Sequence, residues 1–286
     1  MSSAILAETE DRPTFETLSG VEASLQFAVR ADEKPYAYAG QPPEGVPQTR
    51  GDYGQRSVRI LNARPIADRL DLDVEGIAVV RAPTAVRDFW DEAQTLALGH
   101  PETAEIVRKA TGASRVVVFD HTLRRRAEGV DDRAVGLPRQ PATRVHVDQT
   151  VWSGPNRTRE IMGEQAEALL TRRAAIINVW RPIAHVARDW PLALGDARSF
   201  QAEDLIPTDL IFPHRRGETY GIAHNPGQRW LYIPDLAPDE AILIKCWDSD
   251  PSVARFAPHS GFEDPTTPPG TPPRQSIEFR TIAFFD

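Results

Sequence analysis

The sequence predicts a mainly β (α+β) protein, with a jelly-roll, cupin-like core flanked by helices. Three observations carry that expectation. Short apolar runs rich in Val, Ile, Leu and aromatic residues recur along the chain. Turn-forming residues separate them, with 25 prolines and 18 glycines among 286 residues. Helical spacing is confined to a few stretches, which leaves helices a flanking role.

Taken in order, Ser24-Leu25-Gln26-Phe27-Ala28-Val29 reads as a first strand. The stretch 34–54 holds Pro35, Pro42, Pro43 and Pro47 among Gly40, Gly45, Gly51 and Gly54, and reads as an extended loop or arm. Strands are expected at 57–60 and 76–80, and a helix opening over 86–94. A second helix, 101–110, has Pro101 in its first turn and Gly112 as a stop. Strands at 114–120 and 143–150 follow. A third helix, 157–173, places Met162, Ala166, Leu169 and Leu170 at i, i+4, i+7 and i+8. Strands at 174–180, 229–233, 241–247 and 276–285 complete the pattern. A double-sheet jelly roll suits it, because that architecture can enclose a small site between its sheets. No repeat or linker divides the chain, so 1–286 is read as a single domain, with 1–60 as an N-terminal extension or arm.

Composition narrows the function. Hydrophobic content of 41% and charged content of 26% are globular values. A net charge of −8 gives no electrostatic reason to expect nucleic acid or an acidic membrane as partner. The run Arg124-Arg125-Arg126 is short and reads as a solvated face. One cysteine, Cys246, excludes an internal disulfide and reads as a buried strand thiol. The first residues lack the basic and apolar regions of a signal peptide, and no apolar run approaches membrane-spanning length. The expectation is a soluble, cytoplasmic protein. GxSxG, Walker, GxGxxG and HExxH motifs are absent.

The most informative segment is Arg144-Val145-His146-Val147-Asp148-Gln149-Thr150. Side chains alternate along a strand, so His146 and Asp148 point one way and Val145 and Val147 the other. An imidazole and a carboxylate converging from one strand are two legs of a two-His, one-carboxylate iron(II) site. A bare H-x-D recurs by chance and is weak alone. Further along, His259 is followed by a proline-rich loop and then Arg274-Gln275-Ser276, the order expected for a distal iron ligand and a co-substrate anchor.

2-Oxoglutarate chelates iron through its keto oxygen and one carboxylate, leaving the far carboxylate for the protein to hold. A guanidinium grips a carboxylate with two parallel hydrogen bonds, and a hydroxyl two residues along the same strand face adds another. Arg274 and Ser276 meet that spacing if the strand starts by Arg274. His224, ahead of the 229–233 strand, is the alternative third ligand. His100, His121, His185 and His214 read as structural or surface histidines. Trp152, Trp180, Trp230, Tyr232 and Phe262 are candidates for apolar pocket walls, although aromatics of this kind are more often core.

Together these segments resemble a known family: tailoring oxygenases related to the cephamycin 7α-methoxylase subunit, the gibberellin desaturase-like proteins and fungal hydroxylase/desaturases of secondary metabolism. The resemblance runs from about residue 110 to the C-terminus. Its carriers are Thr111-Gly112-Ala113, Val118-Phe119-Asp120-His121-Thr122, Val145-His146-Val147-Asp148 and Asn178-Val179-Trp180-Arg181-Pro182. Pro191-Leu192-Ala193-Leu194, Arg229-Trp230-Leu231-Tyr232-Ile233-Pro234, Lys245-Cys246-Trp247-Asp248-Ser249 and Pro258-His259 add to it. Ser260-Gly261 departs from the Thr-Ala expected after the histidine.

The resemblance implies a double-stranded β-helix with its catalytic core at about 110–286, using Fe(II), 2-oxoglutarate and O2. It implies His146, Asp148 and His259 as metal ligands, Arg274 and Ser276 on the co-substrate, and Asn178 and Arg181 along the pocket. The expected activity is hydroxylation, desaturation or oxidative cyclisation of a small-molecule substrate in secondary metabolism. No nucleic-acid or membrane partner is expected, and a homodimer is left open. The alternatives are a catalytically silent β-barrel binding protein and a metal enzyme that does not use 2-oxoglutarate.

Overall fold

The computed structural model describes residues 13–130 and 138–286. In chain order its strands are β1 (Gly20–Ala28), β2 (Tyr36–Tyr38), β3 (Thr49–Arg50), β4 (Tyr53–Asn62), β5 (Ile77–Arg81), β6 (Arg115–Arg125), β7 (His146–Val147) and β8 (Ala174–Pro182). They continue as β9 (Leu192–Gly195), β10 (Leu205–Ile211), β11 (Arg216–Ile222), β12 (Trp230–Tyr232), β13 (Glu240–Asp248), β14 (His259–Gly261) and β15 (Gln275–Phe284). One sheet has ten strands in the order β1-β4-β12-β9-β14-β7-β11-β10-β2-β3, and the other five in the order β5-β13-β8-β15-β6. The expected jelly roll is therefore present. Every pairing in the smaller sheet is antiparallel.

Period-two patterning explains how the sheets pack. On β8, Ala174, Ile176 and Trp180 face the larger sheet and join one core with Phe27, Ile60, Val147 and Leu194. Ala175, Ile177 and Val179 face the other way and pack with Phe89, Val107 and Phe279 under the helices. Both faces of β8 are covered, so all nine of its residues are buried. Its sequence accordingly reads as a nearly continuous apolar run.

The helices differ in extent from the sequence pattern. α1 (Glu92–Gln94) starts only after Asp91, whose carboxylate accepts from the Ala93 and Gln94 amides as an N-cap. Residues 95–99 form a π turn leading into α2 (His100–Thr111). Pro101 lacks an N–H and crowds the carbonyl four residues back, and the widened turn before it accommodates both. The expected 157–173 helix is instead α3 (Ser153–Met162) and α4 (Ala166–Leu170), broken at Gly163, whose φ of 54° suits glycine. α3 lies close against the core because Gly154 presents no Cβ to the Trp247 indole, which a Cβ would meet at 2.4 Å.

Two further differences bear on the site. β1 and β4, inside the stretch read as an arm, pair along nine positions and add Leu25, Phe27 and Ile60 to the core. β10 and β11 lie where the pattern predicts no strands, because Pro207, Asp209, Gly217 and Gly221 blur the alternation. β11 pairs with β7, and β14 inserts between β7 and β9, so His259 becomes the cross-strand partner of His146.

Candidate metal centre

Only His146 and Val147 of the expected 143–150 strand are in ladder conformation, and Asp148 follows directly. The alternation still holds locally, with His146 Nε2 3.4 Å from Asp148 Oδ1. Across the β7–β14 pair, the His146 and His259 rings lie 4.5 Å apart between centroids. One ligand atom from each of His146, Asp148 and His259 falls within 4.8 Å of the others. His224 is exposed and edge-on to Phe27, with no place in the cluster. Of the two histidines, His259 is the one that joins the cluster.

The surroundings orient each donor. His146 Nδ1 lies 2.8 Å from the Arg144 carbonyl and His259 Nδ1 3.1 Å from the Ala257 carbonyl. A carbonyl can only accept, so both Nδ1 atoms carry a proton, and Nε2 is in each ring the nitrogen left to ligate a metal. His259 Nε2 is buried and has no hydrogen-bond partner. Such an orphaned acceptor costs about 1–3 kcal/mol, which ligation of a cation would offset. On Asp148, Oδ2 accepts from Asn178 Nδ2 at 2.7 Å and from Arg280 Nε at 3.3 Å. Oδ1 is left to face His146. Two imidazole lone pairs and one carboxylate oxygen form a donor set suited to ferrous iron with open positions.

Electrostatics agree with that geometry. Burial alone would raise the Asp148 pKa, but the Arg280 charge and then His146 hold it well below the usual carboxylate range. Burial opposes the charged form of His146, yet Asp148 outweighs it and the net direction is upward. His259 is pushed down by burial and then by the neighbouring His146 charge.

Beside the cluster lies a narrow cavity lined by Trp180, Leu192, Arg274 and Glu278. Arg274 is 1% exposed, donates through Nη1 to the Trp190 carbonyl, and sits 5.4 Å from the Trp180 ring centroid. Its Nε and the Ser276 Oγ are both buried without partners. Burial first, and then the Arg124 charge, push the Arg274 guanidinium down to about 9. A donor pair left bare in this way fits an incoming carboxylate. Residues 274 and 276 point inward as the spacing requires, although β15 begins at Gln275 rather than Arg274.

Two expectations are corrected. Arg181 does not line the pocket: three residues beyond Asn178 it takes the opposite face of β8, donates to the Pro238 carbonyl, and sits 5.5 Å from Phe89. Arg124 is not a solvated residue, since it lies opposite Ser276 in the β6–β15 ladder and lines the cavity. Trp230 and the Tyr232–Phe262 pair are core, whereas Trp180 lines the narrow cavity and Trp152 a larger one. Cys246 is buried as expected, at a bulge in β13, with its thiol pushed up by burial.

Sequence reasoning missed Arg280 and Glu278. Arg280 donates to Asp148, to Asp120 at 3.0 Å, to Thr122 at 2.8 Å and to Glu278 at 2.7 Å. The signal was available, because R-x-S continues in register as Arg274, Ser276, Glu278 and Arg280, a polar stripe between apolar Ile277 and Phe279. The larger cavity, about 300 Å³, opens on the Asp148 and Arg280 side and is lined by Phe119, Trp152, Arg157 and Arg215.

Comparison with known proteins adds independent findings. The family model described as "Oxidoreductase/YMDC permease-like domain" matches residues 25–284. Among the described residues no helix is long and apolar enough to cross a membrane. The chain is 34% identical over 261 residues to the hydroxylase/desaturase CTB9 of Cercospora beticola, covering 83% of this chain and 79% of that protein. It is 29% identical over 254 residues to the Fe(II)/2-oxoglutarate-dependent dioxygenase nvfI of Aspergillus novofumigatus, covering 86% and 90%. The solved structure of the iron and alpha-ketoglutarate-dependent endoperoxidase NvfI superposes with a TM-score of 0.84 at 28% identity, covering 93% of this chain and 98% of that one.

Proposed function

The chain belongs to the family of iron(II)- and 2-oxoglutarate-dependent dioxygenases and hydroxylase/desaturases, and on that premise we propose that His146, Asp148 and His259 hold its iron. Arg274 and Ser276 then hold the far carboxylate of 2-oxoglutarate. The observation that carries this reading is the convergence of three ligand atoms within 4.8 Å, the His259 lone pair among them without a partner. The enzyme oxidises a small organic metabolite, and hydroxylation, desaturation and cyclisation are the outcomes open to it. We read residues 1–286 as one catalytic domain, cytoplasmic, with no nucleic-acid or membrane partner.

When bound, iron with 2-oxoglutarate and dioxygen supplies the oxidant that removes hydrogen from a substrate C–H bond, with succinate and carbon dioxide as co-products. The chain's own residues do the positioning. The Arg144 and Ala257 carbonyls fix the histidine tautomers. Asn178 and Arg280 occupy one oxygen of Asp148 and leave the other for the metal. Trp180 and Leu192 wall the narrow cavity and limit water beside Arg274.

The test is an anaerobic iron(II) titration with and without 2-oxoglutarate, followed by air and a succinate assay. A weak visible charge-transfer band is expected only when both are present. His259→Ala should abolish it, while His224→Ala should leave it intact. Iron binding without the band or succinate would mean a metal enzyme of another kind, and no iron binding at all a silent binding protein.

A further inference from the structure

We infer that the substrate is an organic carboxylate whose acid group binds between Arg157 and Arg215, with its apolar body running toward Asp148. This rests on the metal-centre reading, which makes the cavity beside Asp148 the substrate's place.

The cavity is rich in charged residues, most of them matched. Arg280 is balanced by Asp120, Asp148 and Glu278. Arg216 pairs with Asp209, and Glu218 with Lys34. Arg157 and Arg215 differ, because both turn to a single carboxylate. Arg157 Nη1 lies 2.8 Å and Arg215 Nη1 3.8 Å from the same oxygen, Glu160 Oε2. Glu160 is thus the carboxylate that both cations contact, and Asp120 acts on Arg215 from farther off.

Their positions are also fixed from behind. The Arg157 guanidinium lies 5.0 Å from the Phe119 ring centroid, and that of Arg215 3.6 Å from the Phe212 centroid. Stacking of this kind holds a guanidinium plane while leaving donors for a ligand. Neither side chain is freely solvated, with 19% of Arg157 and 35% of Arg215 exposed. Burial, and then the Arg157 charge, lower the Arg215 pKa against the opposing charges of Glu160 and Asp120. Phe119, Leu210 and Phe212 give the same cavity apolar walls, and Asp148 forms part of its lining. A cavity of about 300 Å³ sits at the small end of ligand sites. Two planar donor groups that contact a single carboxylate between them suit a further planar anion.

The experiment is calorimetric titration of the metal-free protein, with 2-oxoglutarate fixed throughout to occupy the Arg274 end. The probes are matched carboxylic acids, methyl esters and carboxamides on monocyclic to tricyclic apolar skeletons. At least one acid should bind about tenfold or more tightly than both neutral partners, as a charge-assisted hydrogen bond implies. Arg157→Gln and Arg215→Gln should each reduce that preference to within about threefold. Glu160→Gln removes the competing carboxylate and should strengthen acid binding. Circular dichroism of each variant separates lost binding from lost fold. If no acid outbinds its ester and amide, or if the preference survives in both arginine variants, the inference is overturned. Failure of the iron titration would instead remove the metal-centre reading, and an acid preference lost in the arginine variants would then mark a carboxylate-binding site without making its ligand the substrate.

Discussion

Replacing Arg274 by methionine separates binding from stability. The guanidinium is 1% exposed, has a bare Nε, and is pushed down to about 9 by burial and then by Arg124. Against an ordinary arginine value of about 12.5, at ~1.36 kcal/mol per pH unit, that is roughly 5 kcal/mol of disfavoured charge. The folded-state value is lowered, so the penalty is fully present below about pH 9 and fades only as the pH rises toward the unfolded value. Arg274→Met removes it, but also loses the bond to the Trp190 carbonyl, worth about 1.5–3 kcal/mol. The net is about 2–3.5 kcal/mol in favour of the variant, which should therefore melt roughly 4–7 °C higher than the parent, at about 2 °C per kcal/mol for a chain of this size.

Co-substrate binding should move the other way. Truncating one partner of a buried charge pair costs about 2–5 kcal/mol, so 2-oxoglutarate affinity should fall at least ~30-fold. The charge-transfer band reads affinity, and thermal melts with and without 2-oxoglutarate read linkage. At ~100 times its Kd, 2-oxoglutarate should stabilise the parent by about 2.7 kcal/mol, and the same concentration should barely shift the variant. Affinity within about threefold of the parent, or a melting point more than ~4 °C lower, would refute the reasoning.

Arg280→Gln leaves Asp148 and Glu278 without their shared cation. Iron affinity should fall about 10- to 100-fold in the anaerobic titration, as loss of a ligand's supporting contact does. The melting point should drop by roughly 6 °C, for about 3 kcal/mol, and adding Glu278→Gln should restore part of the loss. On the outer face, His100 Nε2 lies 3.0 Å from His121 Nδ1, and burial and then His121 lower the His100 pKa despite the opposing charge of Asp120. The unfolded chain then binds the proton more readily, so stability should fall as the pH drops below about 6.5. A smaller melting-point difference between pH 7.5 and 5.5 in His100→Gln than in the parent would check the sign; an equal one would contradict it.

The strands legible in the sequence were those with one strong rule behind them. β8, β13 and β15 are apolar enough to announce burial, and their bounds shift by only a few residues. β10 and β11 were illegible because proline, aspartate and glycine interrupt a strand whose stability comes from its neighbours. The 86–94 helix failed at its start, where the Asp91 cap sets the beginning rather than the apolar residues before it. In the site, the H-x-D pair and R-x-S were readable because alternation is a local property of two or three residues. Arg181 came with the family resemblance, and alternation argues against it, since an odd spacing from Asn178 puts it on the far face.

Residue order alone thus determined which groups could share a face: His146 with Asp148, and Arg274 with Ser276. It could not determine which histidine completes the set. His224 and His259 are both far from His146 along the chain, and spacing carries no information about pairing between distant strands. The tertiary fold decided it by inserting β14 between β7 and β9, which puts His259 across from His146 and leaves His224 against Phe27. The same topology brings Asn178 and Arg280 from the opposite sheet onto Asp148. Alternation is fixed by the covalent geometry of one strand, whereas strand order follows from burying two apolar faces against each other.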